Sequence, residues 1–280
     1  MLDTLIIGGS AAGTAAAIYA ARRNLNFLLI SKDFGGEVAT SGEIENYPGF
    51  PHTDGIELVE KFREHLEKNK VQMELDAEVV SITQVGDHFA VTVRPDGMLK
   101  AGDKLGAVKA NDMKQYEART VIFATGVHPR ELNVPGEREL RTKGLSYCKT
   151  VVTIGGGNSA LESAIMLSGI ASKVFVLNKN PAFKGDQVLI DKLSKLPNVE
   201  IIYNAQTAKI LGDKFVSAVE YKDPSGETKT IEAQGVFVHI GMVPNGSCAP
   251  AAVEKNQFGE IKTNCIGETN LPGFYAAGDV

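Results

Sequence analysis

The feature that most constrains this chain is a glycine-rich turn that joins a short apolar strand to a helix. Residues 4–7 are mostly apolar and favour a buried strand, and the turn Gly8-Gly9-Ser10-Ala11-Ala12-Gly13 follows at once. A helix-forming stretch, 14–23, and a second apolar run, 27–30, complete the pattern. Such a turn leaves backbone N–H groups at a helix N-terminus open to a pyrophosphate. A single copy is equally compatible with an ordinary tight connection between a strand and a helix.

A second copy of the same pattern follows further along the chain. The strand 151–154 leads into Gly155-Gly156-Gly157-Asn158-Ser159-Ala160, a helix that ends near residue 168, and the strand 174–177. The interval from Gly8 to Ser31 and the interval from Gly155 to Asn178 are both 23 positions. The repeat predicts an α/β protein with two Rossmann-like, three-layer dinucleotide-binding domains. Ser31 and Asn178 are then expected at the tips of the second strands, where a ribose is normally read.

The remaining segments indicate how the two domains are connected. Between the copies the sequence predicts a helix from residue 55, with Ile56, Val59, Phe62 and Leu66 on one face. A β ribbon and a long exposed loop over 95–118 are expected after it. After the second copy it predicts a helix over 186–196 and further strands that end with 235–240. Turn-forming residues at 126–130 and 244–247 mark two linkers. The second domain is therefore expected to be inserted into the first, which gives domain boundaries of 1–126, 127–244 and 245–280.

Charge, hydropathy and cysteine content exclude several classes of function. A formal charge of -5 and scattered basic residues argue against a nucleic-acid partner. No apolar run reaches the length of a membrane span and no leader precedes the first strand, so a cytoplasmic protein without a membrane anchor is expected. Three cysteines, Cys148, Cys248 and Cys265, do not form an even disulfide framework. No spacing typical of metal ligands is present, so no metal is expected.

Eight short motifs occur in order along the chain. They are Gly35-Gly36-Glu37, Ile44-Glu45-Asn46-Tyr47-Pro48-Gly49-Phe50, Ala124-Thr125-Gly126, Val134-Pro135-Gly136-Glu137, Ser146-Tyr147-Cys148, Gly155-Gly156-Gly157-Asn158-Ser159-Ala160, Gly241-Met242-Val243-Pro244-Asn245 and Phe274-Tyr275-Ala276-Ala277-Gly278-Asp279. With these motifs the chain resembles the low-molecular-weight thioredoxin reductase family and the flavoprotein domain of alkyl hydroperoxide reductases. The resemblance extends from Leu5 to Val280.

This resemblance implies that FAD is held by the first and last parts of the chain and a nicotinamide nucleotide by the inserted domain. The residues expected at FAD are Gly8, Ser10, Ala11, Gly13, Gly36, Glu37, Asn46, Thr125, Gly126, Gly278 and Asp279. Those expected at the nicotinamide nucleotide are Gly155, Gly157, Asn158, Ser159, Ala160, Asn178, Lys179 and Lys184. Chemistry supports several of these roles, since glycines admit a pyrophosphate and a carboxylate such as Asp279 accepts hydrogen bonds from sugar hydroxyls. Ser10 stands where a glycine is usual; a serine hydroxyl can still bond phosphate, but its Cβ narrows the approach.

The implied activity passes a hydride from the nicotinamide to FAD, then electrons to a Cys-x-x-Cys disulfide and on to a thioredoxin-like or other small redox protein. Cys148 matches the first cysteine of that pair and is the expected catalytic residue; a homodimer is also implied. Cys148 is followed directly by Lys149-Thr150, so the second cysteine of the motif is absent from the sequence. Cys248 or Cys265 replaces it only if the fold brings two sulfurs within disulfide range.

Two further departures from the family pattern bear on the cofactors. Members that use NADPH carry paired arginines after the second strand, where this chain has Asn178-Lys179-Asn180 and then Lys184. The lysines favour NADPH over NADH, because each supplies a point charge for a phosphate and no acidic residue stands at the strand tip. The chain ends at Val280, where the family continues into a helix, so the last part of the FAD domain is expected to be shorter.

His128, in the first linker, is expected to make a structural hydrogen bond.

Three functions therefore remain open from the sequence. The first is an FAD-dependent disulfide oxidoreductase of the thioredoxin reductase kind. The second is a flavin oxidoreductase or ferredoxin-linked reductase of the same fold that lacks a working redox disulfide. The third is a flavin-binding module without catalytic turnover, which the changes at Ser10 and Asn178 make conceivable.

Overall fold

The computed structural model describes residues 1–95, 113–144 and 149–280, and residue contacts divide it into two compact units. Unit 1 comprises Met1–His128 and Val243–Val280, and unit 2 comprises Pro129–Met242. The sequence predicts each junction two residues away from these, at 126/127 and 244/245. Cys148 lies outside the described residues, as does most of the loop expected over 95–118. The described part of that loop is different from the expectation, since residues 114–118 already belong to a strand.

The elements follow the predicted order of two strand–turn–helix–strand repeats. The first part of unit 1 contains β1 (Leu2–Ile7), α1 (Ala11–Arg22), β2 (Phe27–Ser31), α2 (Glu37–Thr40), β3 (Glu43–Ile44), β4 (Thr53–Asp54), α3 (Gly55–Lys68), β5 (Met73–Leu75), β6 (Ala77–Val85), β7 (His88–Pro95), β8 (Lys114–Phe123) and β9 (Val127–Pro129). Unit 2 contains β10 (Thr150–Ile154), α4 (Asn158–Ser168), β11 (Lys173–Asn178), α5 (Gln187–Leu193), β12 (Val199–Tyr203), β13 (Gln206–Gly212), β14 (Val216–Lys222), β15 (Thr228–Glu232) and β16 (Gly235–Val238). The chain returns through β17 (Met242–Pro244) and ends after β18 (Phe274–Ala276).

Unit 1 is built on a seven-stranded sheet. Its order is β5-β2-β1-β8-β7-β6, and β18 pairs with β8. The strands β5, β2, β1, β8 and β18 are parallel, whereas β7 and β6 form an antiparallel extension. Strand β1 is buried over its last four residues, as expected for a parallel strand covered on both faces. The predicted β ribbon is confirmed as β6 and β7, with the turn at Gly86.

The stripe that helix α3 buries shares Phe62 and Leu66 with the predicted stripe, but its start differs. Leu58, Phe62 and Leu66 are buried, whereas Ile56 is 67% exposed. The reason lies at the start of the helix, where the carboxylate of Asp54 accepts a hydrogen bond from the backbone N–H of Glu57 (2.8 Å). Gly55 then packs against the preceding loop, so the buried positions recur every three or four residues from 55 and Ile56 falls on the outer face.

Unit 2 has three layers, which confirms the predicted architecture. The parallel sheet has the order β12-β11-β10-β16, and a separate antiparallel sheet has the order β13-β14-β15. Side chains of β10 alternate between two cores: Val151 packs with Leu161 and Leu167 of α4, and Val152 packs with residues of the antiparallel sheet. The predicted helix over 186–196 is shorter, and the strand expected over 235–240 ends at residue 238.

Candidate functional site

The carboxyl ends of four parallel strands lie level in unit 1. Ile7 at the end of β1 is paired with Ile30 of β2 and with Phe123 of β8. Phe123 is in turn paired with Ala276 of β18. The loops that follow these strands therefore begin at one edge of the sheet, which is where open α/β sheets bind ligands. Three stretches that are far apart in the sequence meet there: the first glycine turn, residues 124–126 and residues 277–279.

Two glycines of the first turn are required by close backbone contacts. Gly8 has a φ of +111°, and a Cβ at this position would lie 2.0 Å from the carbonyl oxygen of Ala124. A Cβ on Gly13 would lie 1.8 Å from the carbonyl oxygen of Gly8. These distances exclude any side chain, so Gly8 holds β1 against the end of β8 and Gly13 holds α1 against the turn.

The loops enclose a cavity of about 780 Å³. Ligand pockets in proteins span about 300–1,000 Å³, so this volume suits an extended cofactor. Most of the residues expected at FAD line it: Gly8, Ser10, Ala11, Gly36, Glu37, Thr125, Gly126, Gly278 and Asp279. Gly13 and Asn46 do not line it; Gly13 is buried beneath the turn, and Asn46 is an exposed loop residue.

The hydroxyl of Ser10 is engaged within the protein. It donates to the carbonyl oxygen of Gly35 over 2.6 Å. The hydroxyl hydrogen therefore points to the neighbouring loop instead of toward a phosphate. Gly36 follows with a φ of +52°, and a Cβ there would lie 3.4 Å from Cβ of Ser10. Ser10 thus ties the 35–36 loop to the first turn on the wall of the cavity.

Asn245 organises the point where the chain leaves and re-enters unit 1, a role that the sequence analysis missed. Thr125 Oγ1 donates to the carbonyl oxygen of Asn245 (2.9 Å), and Asn245 Nδ2 donates to the carbonyl oxygen of Thr125 (2.9 Å). The amide oxygen of Asn245 then faces His128 Nδ1 at 2.6 Å. An amide oxygen only accepts, so Nδ1 of His128 carries the hydrogen. This is the structural hydrogen bond expected of His128. The signal for Asn245 was its place in the motif that ends at Pro244-Asn245.

Cys248 also lines the cavity of unit 1 and was not among the expected site residues. Burial raises the pKa of its thiol, and nearby Lys255 only partly offsets that effect. A thiol of raised pKa stays protonated at neutral pH and is a poor nucleophile. Cys265 is exposed, and both are free thiols. The chemistry expected of Cys148 concerns a residue outside the described part of the chain.

The edge of the parallel sheet in unit 2 repeats this arrangement. Ile154 at the end of β10 is paired with Leu177 and with Val238. Gly155 follows with a φ of +146°, and a Cβ there would lie 2.1 Å from the carbonyl oxygen of His239. The second glycine turn therefore packs against the end of β16 as the first turn packs against the end of β8.

The turn of unit 2 presents an open helix N-terminus. Gly157 precedes α4 in extended conformation. If a Cβ were placed on it, no atom of the described residues would lie within 4 Å of that Cβ. Asn158 and Ser159 are exposed, whereas Ala160 is fully buried under the helix. Backbone N–H groups at such a helix start bind anions. None of these residues lines the cavity of about 530 Å³ that unit 2 also contains.

Asn178 does not offer its side chain to a ligand, contrary to the prediction. It is 1% exposed, its Nδ2 donates to the carbonyl oxygen of Ala182 (2.8 Å), and its Oδ1 accepts from the backbone N–H of Asn180 (3.2 Å). A Cβ on Gly156 would lie 2.6 Å from Oδ1 of Asn178. The side chain therefore supports the loop after β11 from beneath, with both of its polar atoms engaged by that loop.

Lys179 and Lys184 remain available at the same edge. Both are exposed, and within the described parts of the chain neither forms an ion pair or side-chain hydrogen bond. The backbone N–H of Lys184 donates to the carbonyl oxygen of Gly156 over 2.7 Å, which holds the lysine beside the turn. In the described residues no three His, Cys, Asp or Glu side chains converge on a position that could hold a metal ion.

Two parallel sheets, each with a glycine turn at its carboxyl edge, define a protein with two Rossmann-like dinucleotide-binding units. A profile of the pyridine nucleotide-disulphide oxidoreductase family matches residues 2–280, and the chain belongs to this family. Membership implies an oxidoreductase with a flavin and a nicotinamide cofactor. None of the helices in the described part of the chain is both long and apolar enough to cross a membrane.

Solved structures and curated relatives agree with this family. Thioredoxin reductase of T. acidophilum is 34% identical, with a TM-score of 0.79, and the match covers 100% of this chain and 90% of that one. Thioredoxin reductase of Lactococcus lactis is 29% identical, with a TM-score of 0.82 and the same coverage. The resemblance predicted from the motifs is therefore confirmed.

Curated relatives match almost the whole chain, as two examples show. The F component of the alkyl hydroperoxide reductase of Escherichia coli (strain K12) is 41% identical over 289 residues, which are 99% of this chain and 53% of that protein. A protein named NADH dehydrogenase from Bacillus subtilis (strain 168) is 39% identical over 288 residues, with the same shares. The chain thus spans about half the length of the curated relatives it matches.

Proposed function

We propose that the protein is a flavin-dependent oxidoreductase that takes electrons from NADPH or NADH and passes them to a disulfide of a small, thioredoxin-like protein. In this proposal unit 1 holds FAD and the glycine turn of unit 2 holds the nicotinamide nucleotide. FAD, when bound, would supply the two-electron chemistry that links a hydride donor to a disulfide. A cytoplasmic homodimer, as expected from the sequence, is part of the proposal.

The cavity of unit 1 carries this proposal. Its wall combines the turn at Gly8, the stretch 124–126 and the stretch 277–279, and these are the parts of the chain that the family resemblance assigns to FAD. Gly8 and Gly278 both have positive φ and carry no side chain, so backbone forms the wall at these two positions. The carboxylate of Asp279 is exposed at its edge and suits the hydroxyls of a ribityl chain. These residues fit a flavin dinucleotide.

The nucleotide preference rests on the lysines of unit 2. Lys179 and Lys184 supply exposed positive charge beside the turn, and no acidic residue stands at the tip of β11 to bond a free ribose hydroxyl. This supports NADPH over NADH.

A second candidate is a flavin oxidoreductase that does not act on protein disulfides, with either a nicotinamide or a ferredoxin as donor. The observation that favours it is the sequence at Cys148, which is followed directly by Lys149-Thr150 at the start of β10. One cysteine cannot store two electrons as a local disulfide. The relative named NADH dehydrogenase supports the same candidate.

Anaerobic reduction of the FAD-loaded chain separates the candidates. We expect NADPH, and more weakly NADH, to bleach the flavin absorbance, and oxidised thioredoxin then to restore it with the release of two thiols per disulfide. Cys148→Ser should keep the bleaching and lose the thiol release, because its thiolate is the proposed link to the partner. Cys265→Ser, which changes an exposed cysteine, is the matched control and should keep both.

The outcomes are distinct. Bleaching without thiol release in the unaltered protein would favour the second candidate. No bleaching by either nucleotide would contradict a nicotinamide-dependent activity and leave a ferredoxin-linked reductase or a non-catalytic flavin-binding module.

A further inference from the structure

A clasp of two hydrogen bonds joins the nucleotide turn of unit 2 to the loop of residues 179–186, here called the lysine loop. The backbone N–H of Asp186 donates to Oδ1 of Asn158 over 2.7 Å. Nδ2 of Asn158 donates back to Oδ2 of Asp186 over 3.0 Å. Asn158 is the first residue of α4, so the clasp fixes the end of the lysine loop to the helix that begins at the glycine turn.

The lysine loop is anchored at its other positions as well. Its start is held by the buried amide of Asn178, and its middle by the hydrogen bond from the Lys184 N–H to Gly156. The ring of Phe183 packs on Tyr203 with centroids 5.1 Å apart. A Cβ on Gly185 would lie 2.5 Å from Cδ1 of Leu161 and 2.8 Å from Oδ1 of Asn158, so a larger residue would have to displace these side chains.

We propose that Asn158 and Asp186 are positioning residues that hold Lys184 for the phosphate monoester that distinguishes NADPH from NADH. The inference rests on the nucleotide site of the proposed function. A lysine ammonium is a point charge on a flexible stem, so its contribution to anion binding depends on how firmly its backbone is fixed. Lys184 lies two residues before Asp186, and the clasp restrains that stretch of backbone.

The sign of the expected effect separates this role from simple electrostatics. Asp186 is an exposed carboxylate, and removing a negative charge near an anion site by itself strengthens anion binding. Asp186→Ala removes the bond from Nδ2 of Asn158 and keeps the one donated by the backbone N–H of residue 186. Loosening the clasp in this way acts in the opposite direction, because a more mobile lysine loop must be ordered again when the phosphate binds. A positioning role therefore predicts that Asp186→Ala weakens binding of the phosphorylated nucleotide.

Calorimetric titration of the FAD-loaded full chain with NADP⁺ and with NAD⁺ tests the inference. We expect Asp186→Ala to lower the NADP⁺ affinity about three- to fivefold and to change the NAD⁺ affinity by less than about twofold. This is the size of effect expected when one exposed ion pair, between Lys184 and the phosphate, is weakened. In a Lys184→Ala background the same substitution should have no further effect on the ratio of the two affinities. Asp191→Ala is the matched control, since this carboxylate on α5 bonds only Gln187 among the described residues.

The possible results are separable. An unchanged or higher NADP⁺ affinity in Asp186→Ala, with both nucleotides still bound, would overturn the positioning role alone. Binding of neither nucleotide by the unaltered protein would overturn the proposed nucleotide site and the inference with it. Faster hydrogen exchange at the Lys184 amide in Asp186→Ala, with β10 and β11 still protected, would support a loosened clasp in a folded protein.

Discussion

Ser10 and Gly157 occupy equivalent positions in the two glycine turns, but only Ser10 carries a side chain. Each lies two residues after a glycine that packs on a neighbouring strand end, Gly8 in unit 1 and Gly155 in unit 2. The hydroxyl of Ser10 is bonded to Gly35, which accounts for a side chain at that position. In unit 2 the space beside Gly157 is open. Packing against the described residues therefore does not explain why this position is a glycine.

Gly157→Ser tests whether that open space is for the nucleotide. The residue precedes α4 with φ of -97° and ψ of -179°, a conformation that serine adopts and that suits it as a helix cap. We expect the free energy of unfolding to change by less than about 0.5 kcal/mol. The affinity for NADPH should fall about tenfold, because the new side chain narrows the approach of a pyrophosphate. Calorimetry and urea denaturation measure the two quantities.

Gly169→Ser at the other end of α4 is the matched control. Its backbone is helical and a Cβ there meets only Met166 at 3.5 Å, an ordinary contact. An unchanged NADPH affinity in Gly157→Ser would show that no pyrophosphate passes this position.

At the residue scale, glycines were easier to predict than asparagines. Gly8 and Gly155 follow from the sequence because a turn between a strand and a helix with no room for a side chain demands glycine. The side chains of Asn178 and Asn245 bond the backbone of loops. No local sequence pattern predicts the conformation of these loops. From the sequence, an asparagine in either place is equally compatible with a contact to a ligand and with a hydrogen bond to the backbone. The folded structure distinguishes the two roles.

At the scale of elements, the short strand β18 connects the core of unit 1 to its candidate site. Phe274 on this strand is 1% exposed, and its ring lies 5.8 Å from that of Phe89 and 5.5 Å from that of Phe123. Three residues of strand are too few for an alternating pattern to reveal, which is why the sequence did not predict β18. Its pairing with β8 brings residues 277–279 to the cavity.

Phe274→Ala should therefore affect stability and cofactor binding together. Removal of a fully buried phenylalanine typically costs about 3–5 kcal/mol, and loss of the anchor should displace the residues that follow β18. We expect a lower urea midpoint by circular dichroism and purified protein with most of its FAD missing. Phe258→Ala is the matched control, because Phe258 is 64% exposed and its loss should cost less than about 0.5 kcal/mol. Full FAD content in Phe274→Ala would contradict the proposed link.

Elements were predictable where an apolar run or a cap defined them. The strands predicted at the two glycine turns, 4–7 and 151–154, are extended in the structure by only one or two residues. Only the start of the α3 stripe was mispredicted, because Ile56 and Leu58 are both apolar and the helix start at Gly55 selects between them. Very short elements such as α2, β3 and β4 carry too few residues for any periodicity.

At the scale of the whole molecule, each unit has cores of its own around a parallel sheet. In unit 1, Leu5 and Phe123 belong to one core cluster and Ile6 and Leu29 to another, on the opposite face of the sheet. In unit 2, Val151 and Val152 divide between two clusters in the same way. Since ligands stabilise what they bind, two separate sites should leave separate signatures on the two units.

Hydrogen exchange with each ligand alone tests this division. With ligand at about 100 times its dissociation constant, the bound state gains about 2.7 kcal/mol, which is enough to slow exchange of the amides it covers. FAD should protect residues 8–13, 124–126 and 277–279, and NADP⁺ should protect residues 155–160 and 179–186. Protection should appear in peptides of the unit that holds the ligand, and AMP, which lacks the rest of either dinucleotide, is the control for weak adenine binding. Protection of the unit 2 turn by FAD, or of the unit 1 turn by NADP⁺, would reverse the proposed assignment of cofactors to units.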